Sequence, residues 1–160
     1  MKNKILKLIE NDPRLTVEDV AKMLGEDKNA VAAAIGEMEA DGIICGYKTI
    51  IDWDKVSDEK VNALIEVKVS PQRNTGFDAI AERIAKFDEV DSVFLISGGY
   101  DFLVQIKGRS MREVSQFVFD KLSTLDTIIS TATHFVLKKY KDHGINFIEK
   151  SDAKRENIIL

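Results

Sequence analysis

Apolar positions in the first 42 residues recur with the period of short α-helices. One face of a first helix, ended by "NDPR", would carry Ile5, Leu8 and Ile9. Thr16 followed by Asp19 is a capping-box pattern, which predicts the start of a second helix. This helix would end at Gly25. Its apolar face would consist of Val17, Val20, Ala21 and Leu24.

A third helix is predicted directly after this glycine. Asp27 is a suitable N-cap, and Gly42 follows the last apolar position. The buried stripe would consist of Val31, Ala34, Ile35 and Met38. Because two helices joined by a short turn form a helix-turn-helix, residues 1–46 are predicted to be a winged or helix-turn-helix DNA-binding domain.

The period of the pattern changes at residue 43. The stretch "IICGYKTIIDW" is apolar and β-branched, which indicates an extended segment. The charged stretch "DKVSDEK" (54–60) marks a domain boundary, so residues 47–60 are interpreted as a hinge strand and linker. Cys45 is the only cysteine, which excludes an internal disulfide, and it is expected to be a buried thiol.

Residues 61–141 alternate strand and helix patterns in the order βαββαβ. Strand patterns have a period of two, as in "VNALIEVKVS", and helix patterns have a period near 3.6. The predicted elements are a strand at 61–70, a helix at 77–87, strands at 92–97 and 102–108, a helix at 111–125 and a last strand at 127–141. This order predicts an α+β fold with a ferredoxin-like module, a four-stranded antiparallel sheet with two helices on one face.

The other face of this sheet has no helix to cover it. The stretch "SVFLIS" (92–97) is apolar on both faces, so part of it would stay exposed in a single chain. Because large exposed apolar patches mark interaction surfaces, a homodimer that packs sheet against sheet is expected. Residues 142–160 are a C-terminal extension that could be a helix, an extra strand, an arm on a partner or a loose tail.

Composition limits the location and the partners. No apolar run approaches the ~18 residues that a membrane span needs, and the N-terminus lacks a signal-peptide pattern, so a cytoplasmic protein is expected. The net charge is −4, and residues 1–50 carry seven Lys and Arg against nine Asp and Glu, a sum of −2. DNA-binding domains normally have a basic excess, so this balance weakens a nucleic-acid interpretation without excluding it.

The stretch "SGGYDF" is a candidate ligand site. Gly98 and Gly99 allow a positive φ and leave amide N–H groups open to a ligand carboxylate. Asp101 could accept from an α-ammonium group, and Tyr100 could cover the ligand or contact a neighbouring subunit. The alternative is that the two glycines form only a tight hairpin turn.

Thr131 and Thr133 alternate onto one side of the last strand, where their hydroxyls could complete a polar pocket. The alternative is that both threonines serve only β-propensity. No catalytic group and no cofactor is predicted. His134 and His143 lie nine residues apart without a cysteine or carboxylate cluster, which does not match the spacing of a metal site.

The third predicted helix presents few cations for reading DNA. Its solvent face would carry Lys28, Asn29, Ala32, Ala33 and Gly36. Asn29 could pair with adenine, whereas an alanine could at most contact a thymine methyl group. Phosphate contacts would then come mainly from lysines elsewhere in the domain, namely Lys2, Lys4, Lys7, Lys22 and Lys48.

Taken together, three stretches resemble the Lrp/AsnC (feast/famine) transcriptional regulators. They are "LTVEDVAKMLG" (15–25), "VAAAIGEMEADGIICGY" (31–47) and "ISGGYDFLVQIKG" (96–108), and the last contains the glycine-tyrosine-aspartate turn of the family. The resemblance departs at Ala33 and Gly36, where family members commonly have Arg or Lys. It implies dimers formed through the hinge strand and sheet, which assemble further, commonly to octamers. It also implies that an amino acid or similar metabolite binds between regulatory modules and changes the affinity for double-stranded DNA.

Three hypotheses follow from the residues and the resemblance. The first is a DNA-binding regulator whose affinity comes from several weak helix-turn-helix units in one assembly. The second is a ligand-binding or hetero-oligomeric partner of the same fold with weak or lost DNA binding. The third is an enzyme like the sirohaem decarboxylases, which resemble this fold family, although no arginine- and histidine-rich stretch resembling theirs is present.

Overall fold

The computed structural model describes residues 1–56, 60–70 and 76–148. The chain divides into two compact units, Met1–Ile51 and Asp52–Leu160, each described by itself below. Most of the predicted loop 71–76 and residues 149–160 of the C-terminal extension lie outside the described residues. Among the described residues, no helix has both the length and the apolar character needed to cross a membrane.

The first unit contains three helices: α1 (Lys2–Asn11), α2 (Val17–Leu24) and α3 (Lys28–Ala40). The capping box is present, because the Asp19 N–H donates to Thr16 Oγ1 at 3.2 Å and the Thr16 N–H donates to Asp19 Oδ2 at 3.0 Å. Gly25 ends α2 with a φ of +67°. The side chain of Asp27 accepts from the Ala30 N–H at 3.0 Å. These local features explain why α2 starts and ends, and why α3 starts, where the sequence predicted.

The core of the first unit lies where the three helices meet. Its fully buried members are Ile5, Val20, Val31 and Met38, with Ala21 and Ala34 nearly so. The predicted stripe of α3 is thus buried, except that Ile35 is only partly so. Packing of this stripe sets which side of α3 faces solvent.

The segment after α3 forms no strand in the single chain. Residues 45–52 have neither helix nor strand structure, and Trp53–Lys55 is a single 3₁₀ turn. A hinge strand needs a second strand as its partner, so the predicted hinge strand stays a prediction. The expectation of a buried Cys45 is wrong, since the thiol is exposed and donates to the Gly42 carbonyl at 3.1 Å.

The second unit contains the predicted βαββαβ order. Its elements are β1 (Val61–Val69), α4 (Phe77–Ala85), β2 (Val90–Leu95), β3 (Phe102–Gly108), α5 (Met111–Phe117) with a π-helical turn over Val118–Leu122, and β4 (Ile128–Phe135). The sheet order is β2-β3-β1-β4, and all neighbours are antiparallel. The ferredoxin-like prediction is therefore confirmed.

Alternation along β1 separates the two faces of this sheet. Ala63, Ile65 and Val67 are fully buried and face the helices. The opposite, open face carries Leu64, Glu66, Phe94, Leu103, Gln105, Ala132 and His134, as the strand register requires. Phe94 is 50% exposed there. The open face is therefore mixed, with apolar side chains among polar ones.

The last part of the described chain differs from the prediction. β4 ends at Phe135 instead of residue 141. A short hairpin follows, in which β5 (Lys141–Asp142) and β6 (Ile145–Asn146) have two residues each. His143 and Gly144 turn this hairpin with positive φ values of 46° and 81°. The Val136 N–H still donates to the Asn62 carbonyl of β1 at 2.9 Å, and the chain then leaves the sheet.

Candidate functional site

The outward face of α3 is the candidate nucleic-acid interface. Lys28, Asn29, Ala32 and Ala33 are all exposed, on the side opposite the buried Val31 and Met38 stripe. Gly36 continues this face, and a Cβ added there would meet nothing within 4 Å. The structure thus brings four of the five predicted DNA-contact residues onto one smooth helical surface.

Carboxylates compensate the charge of two lysines in this unit. Lys28 Nζ pairs with Glu18 Oε1 of α2, and Lys2 Nζ lies 2.9 Å from Glu37 Oε2 of α3. The hydrogen bond from Lys28 holds the pKa of Glu18 below its usual value, so this carboxylate is charged at neutral pH. Both pairs are exposed, so solvent screens them and they contribute little to stability. A phosphate group can therefore compete for either lysine, but only against a carboxylate.

The other cations of this unit lie outside α3. Lys4, Lys7 and Lys22 are exposed and form no ion pair with a described residue. Lys48, the fifth predicted contact, is not on α3. It lies in the segment that follows α3 and lines an open groove of about 460 Å³ together with Leu6 of α1.

The glycine turn between β2 and β3 is the candidate effector site. Gly98 and Gly99 are exposed, and Tyr100 and Asp101 are partly buried. The Asp101 N–H donates to the Val67 carbonyl at 3.0 Å, and the Asp101 carbonyl accepts from the Ile96 N–H at 2.8 Å. The carboxylate Oδ2 of Asp101 accepts from the Val69 N–H at 2.8 Å. The turn is thus attached to β1 through both the backbone and the side chain of Asp101.

Of the two reasons expected for the glycines, the positive φ is wrong, because neither Gly98 nor Gly99 has one. The second reason, an open backbone, stays a prediction that their surroundings allow. A Cβ on Gly99 would meet nothing within 4 Å, and a Cβ on Gly98 would only touch Ile96 Cγ2 at 4.0 Å. Neither backbone conformation nor packing against the described residues requires glycine at these two positions, so the backbone there is open to a ligand.

Thr131 and Thr133 lie on the helix side of β4 and are partly buried. Thr131 is paired with Val67, which is paired in turn with Phe102, the residue directly after the turn. Neighbouring strands lie ~4.8 Å apart, so the Cα atoms of Thr131 and Phe102 are separated by about 10 Å. Thr133 lies one pair further from the turn, opposite Ile65. Both threonines therefore lie in the sheet near the turn, but β1 separates them from it.

Sequence reasoning missed the partners of the key polar groups. Glu18 and Lys28 are ten residues apart, and Val69 and Asp101 are 32 apart. Acidic residues are favoured in the first turn of a helix, so interaction with the helix dipole was enough to explain a glutamate at position 18. No local signal pointed to Val69, because a backbone N–H looks the same in every residue.

Comparison with known proteins agrees with this architecture. A winged helix-turn-helix DNA-binding model matches residues 2–44, and the Lrp/AsnC ligand-binding domain matches residues 62–145. The HTH-type transcriptional regulator YugG of Bacillus subtilis (strain 168) is 49% identical over 152 residues, which cover 94% of this chain and 92% of that protein. The proline dehydrogenase transcriptional activator of Rhizobium radiobacter is 25% identical and covers 89% of this chain and 90% of its own.

A solved structure supports the same relationship. The transcriptional regulator from Neisseria meningitidis in complex with L-methionine has a TM-score of 0.70 and 25% identity, covering 88% of this chain and 90% of its own. The helix-turn-helix unit and the antiparallel α+β unit together define a transcriptional regulator with a ligand-binding domain. The chain belongs to the Lrp/AsnC family. Its relatives are named as regulators, so the enzyme hypothesis is not supported.

Proposed function

We propose that this regulator binds double-stranded DNA through α3 and that an amino acid bound at the glycine turn controls this binding. One observation supports the proposal above all. The exposed turn displays open backbone that no contact within the chain requires, in a domain that matches the Lrp/AsnC ligand-binding model. The proposed DNA contacts are Lys28, Asn29, Ala32 and Ala33 on α3, with Lys48 outside it.

DNA binding by this unit should have low sequence specificity. Asn29 is the one side chain on the α3 face with both a hydrogen-bond donor and an acceptor for a base edge, since Lys28 offers only donors. Lys4, Lys7 and Lys22 supply exposed charge for phosphates. Phosphate contacts carry no sequence information, so most of the binding affinity should be independent of the DNA sequence.

A salt-titrated mobility-shift assay tests the DNA contacts. Wild-type protein is compared on promoter DNA and on random-sequence DNA, together with Lys28→Ala and Asn29→Ala. Binding should weaken steeply with salt on both DNAs. Lys28→Ala should weaken binding to both DNAs. Asn29→Ala should weaken binding to promoter DNA more than binding to random-sequence DNA. Unchanged binding by both variants would place the reading surface elsewhere.

The effector is proposed to be a free amino acid. The Neisseria meningitidis regulator was solved with L-methionine, which makes this class of ligand the first to test. Backbone N–H groups of Gly98 and Gly99 would bind the carboxylate, and Tyr100 would cover it. Thr131 and Thr133 of the same or a neighbouring copy would supply hydroxyl groups, because about 10 Å separates Thr131 from the turn within one chain.

A thermal-shift screen against the twenty amino acids tests the effector. A ligand that binds only the native state raises the unfolding midpoint. The variant Gly99→Ala should fold as well as wild type, because its Cβ meets open space and its φ is not positive. It should nevertheless lose much of the ligand-induced shift. Gly36→Ala is the control, because it makes the same change in the other compact unit. A full shift in Gly99→Ala would exclude close approach of the ligand at this backbone.

Assembly is proposed to begin with a homodimer in which two open sheet faces pack together. Phe94 and Leu103 are cross-strand neighbours on that face and would form the centre of the contact. Higher assembly, such as an octamer, and a cytoplasmic location remain further proposals of the family resemblance. Several weak helix-turn-helix units in one such assembly would bind DNA together.

One observation favours a second candidate function. Lys2 and Lys28 are each paired with a glutamate of the same unit, and α3 carries no other cation. A protein with this surface could act as a ligand-binding partner of another regulator, with weak or lost DNA binding. Absence of any DNA complex at low salt, with and without the amino acids, would favour this function over the first.

A further inference from the structure

Asp101 takes the place of a missing strand residue beside β1. The ladder between β1 and β3 ends at the pair Val67 and Phe102. In an antiparallel ladder the N–H groups of alternate residues point to the same neighbour, so Val69 points toward the turn, as Val67 does. No β3 residue is paired with Val69, and the carboxylate Oδ2 of Asp101 accepts its N–H instead, at 2.8 Å.

The two backbone bonds of Asp101 complete this attachment. One joins the Asp101 N–H to the Val67 carbonyl at 3.0 Å, and the other joins the Ile96 N–H to the Asp101 carbonyl at 2.8 Å. The residues between Ile96 and Asp101 are therefore held at both ends. They include Gly98 and Gly99, which have no side chains that could contact the rest of the domain. Among the described residues, the side chain of Asp101 makes the one side-chain hydrogen bond between this turn and β1.

We infer that Asp101 is a positioning residue of the effector site, which acts by fixing the turn and not by pairing its charge with the effector's ammonium group. The inference rests on the proposed function, since it concerns the same site. Its carboxylate already serves a neutral backbone donor within the chain. What the site requires at this position is an acceptor of the right shape, and an uncharged amide oxygen provides one.

Two substitutions separate shape from charge. Asp101→Asn keeps an acceptor for the Val69 N–H and removes the negative charge. Asp101→Ala removes both and leaves this N–H without its partner. Asp88→Ala is the control, because this substitution removes an equal charge. Asp88 is exposed and precedes β2, at the end of that strand far from the turn.

The first measurement is amide hydrogen exchange of the ligand-free full-length protein, read at Val69 by NMR. Asp101→Asn and Asp88→Ala should retain the wild-type protection of this amide. Asp101→Ala should exchange at least about ten-fold faster, because a hydrogen bond to a charged group has been lost. Equal protection of Val69 in Asp101→Ala would overturn the inference, since the side chain would then not hold the turn.

The second measurement is the dissociation constant of the amino acid that gives the largest shift in the twenty-member screen, measured by calorimetry. Asp101→Asn should bind within about three-fold of wild type, and Asp101→Ala at least about ten-fold more weakly. Equal loss of affinity in Asp101→Asn and Asp101→Ala, with Val69 still protected in Asp101→Asn, would overturn the inference in favour of direct charge pairing. Wild-type affinity in Asp101→Ala would overturn any role in the site.

The two measurements also separate this inference from the proposed function. If wild-type protein responds to none of the twenty amino acids, the proposed effector fails and the positioning role fails with it, whatever the exchange of Val69 shows. If wild-type protein responds but the variants do not follow the expected order, the proposed function stands and only the role of Asp101 falls.

Discussion

Lys28 illustrates how a single neighbour changes the meaning of a residue. By sequence it is the one cation at the start of a reading helix. In the structure its ammonium group pairs with the Glu18 carboxylate, whose pKa is lowered by that hydrogen bond. The pair is exposed, so water and salt screen it strongly. A phosphate must displace Glu18 before it gains the full charge of Lys28.

Glu18→Gln should therefore strengthen DNA binding. The change frees Lys28 and removes one repulsive charge near the phosphates, so affinity at low salt should rise by about two- to five-fold. One additional phosphate contact should steepen the slope of log affinity against log salt by about 0.9. The measurement is a mobility-shift titration on random-sequence DNA at several salt concentrations.

Asp12→Asn is the matched control for this prediction. Asp12 pairs with Arg14 at 2.9 Å, so the substitution releases one cation and removes one carboxylate, but outside α3. A smaller effect than that of Glu18→Gln would locate the DNA contact at the start of α3. Equal effects would mean that net charge alone governs binding.

At the scale of the element, α3 combines a well-specified buried side with an unusually plain outer side. Val31 and Met38 are fully buried, and the Asp27 cap is formed. The outer side has two alanines and one glycine in the middle of the helix, at positions 32, 33 and 36. Glycine in a helix interior costs about 1 kcal/mol relative to alanine. The helix therefore forms because of its caps and its buried stripe.

Exchanging glycine and alanine on this outer side should shift helix stability in opposite directions. Gly36→Ala should raise the opening free energy of α3 by up to about 1 kcal/mol, because its Cβ meets open space and its unfolded state loses freedom. Ala33→Gly should lower it by a similar amount. Amide hydrogen exchange along α3 measures both. Shifts of the same sign would contradict this account of the helix.

At the scale of the whole molecule, no helix or strand among the described residues covers the open face of the sheet. Phe94 is 50% exposed there, next to Leu103. Glu66 and His134 also lie on this face, with His134 Nε2 3.3 Å from Glu66 Oε1. Such a mixed face can be exposed in a monomer and still bury apolar side chains when it meets a copy of itself.

Phe94→Asp should therefore dissociate the proposed homodimer. It removes a ring that would be buried at the contact, worth about 1.5–3 kcal/mol, and it places a charge on an apolar surface. The dimer dissociation constant should rise at least about 100-fold in sedimentation experiments. Phe119→Asp is the control, because Phe119 is 78% exposed but lies in the π-helical turn after α5, in the helical layer. Retention of the dimer by Phe94→Asp would place the contact on another face.

Sequence patterns predicted the elements well where the signal is local. Thr16 and Asp19 of the capping box are three positions apart, and the burial along β1 alternates with a period of two. Each pattern could therefore be recognised within one helical turn or one strand. Prediction was wrong at the end of β4, because the chain leaves β1 after Val136, whose N–H donates to the Asn62 carbonyl, and Lys141 pairs with Asn146 in a separate hairpin. It was also wrong about the glycines at 98 and 99, where composition indicated a backbone angle that the turn does not use.

By itself, the sequence determined the order of the elements, the helix-turn-helix and the ferredoxin-like module, because periodicity and caps act between residues a few positions apart. The tertiary structure alone decided the partners of polar groups that lie far apart along the chain. Lys28 meets Glu18 across two helices, and Asp101 meets Val69 across the end of a sheet. These pairings depend on where distant segments come together in space, and no spacing along the chain encodes that distance.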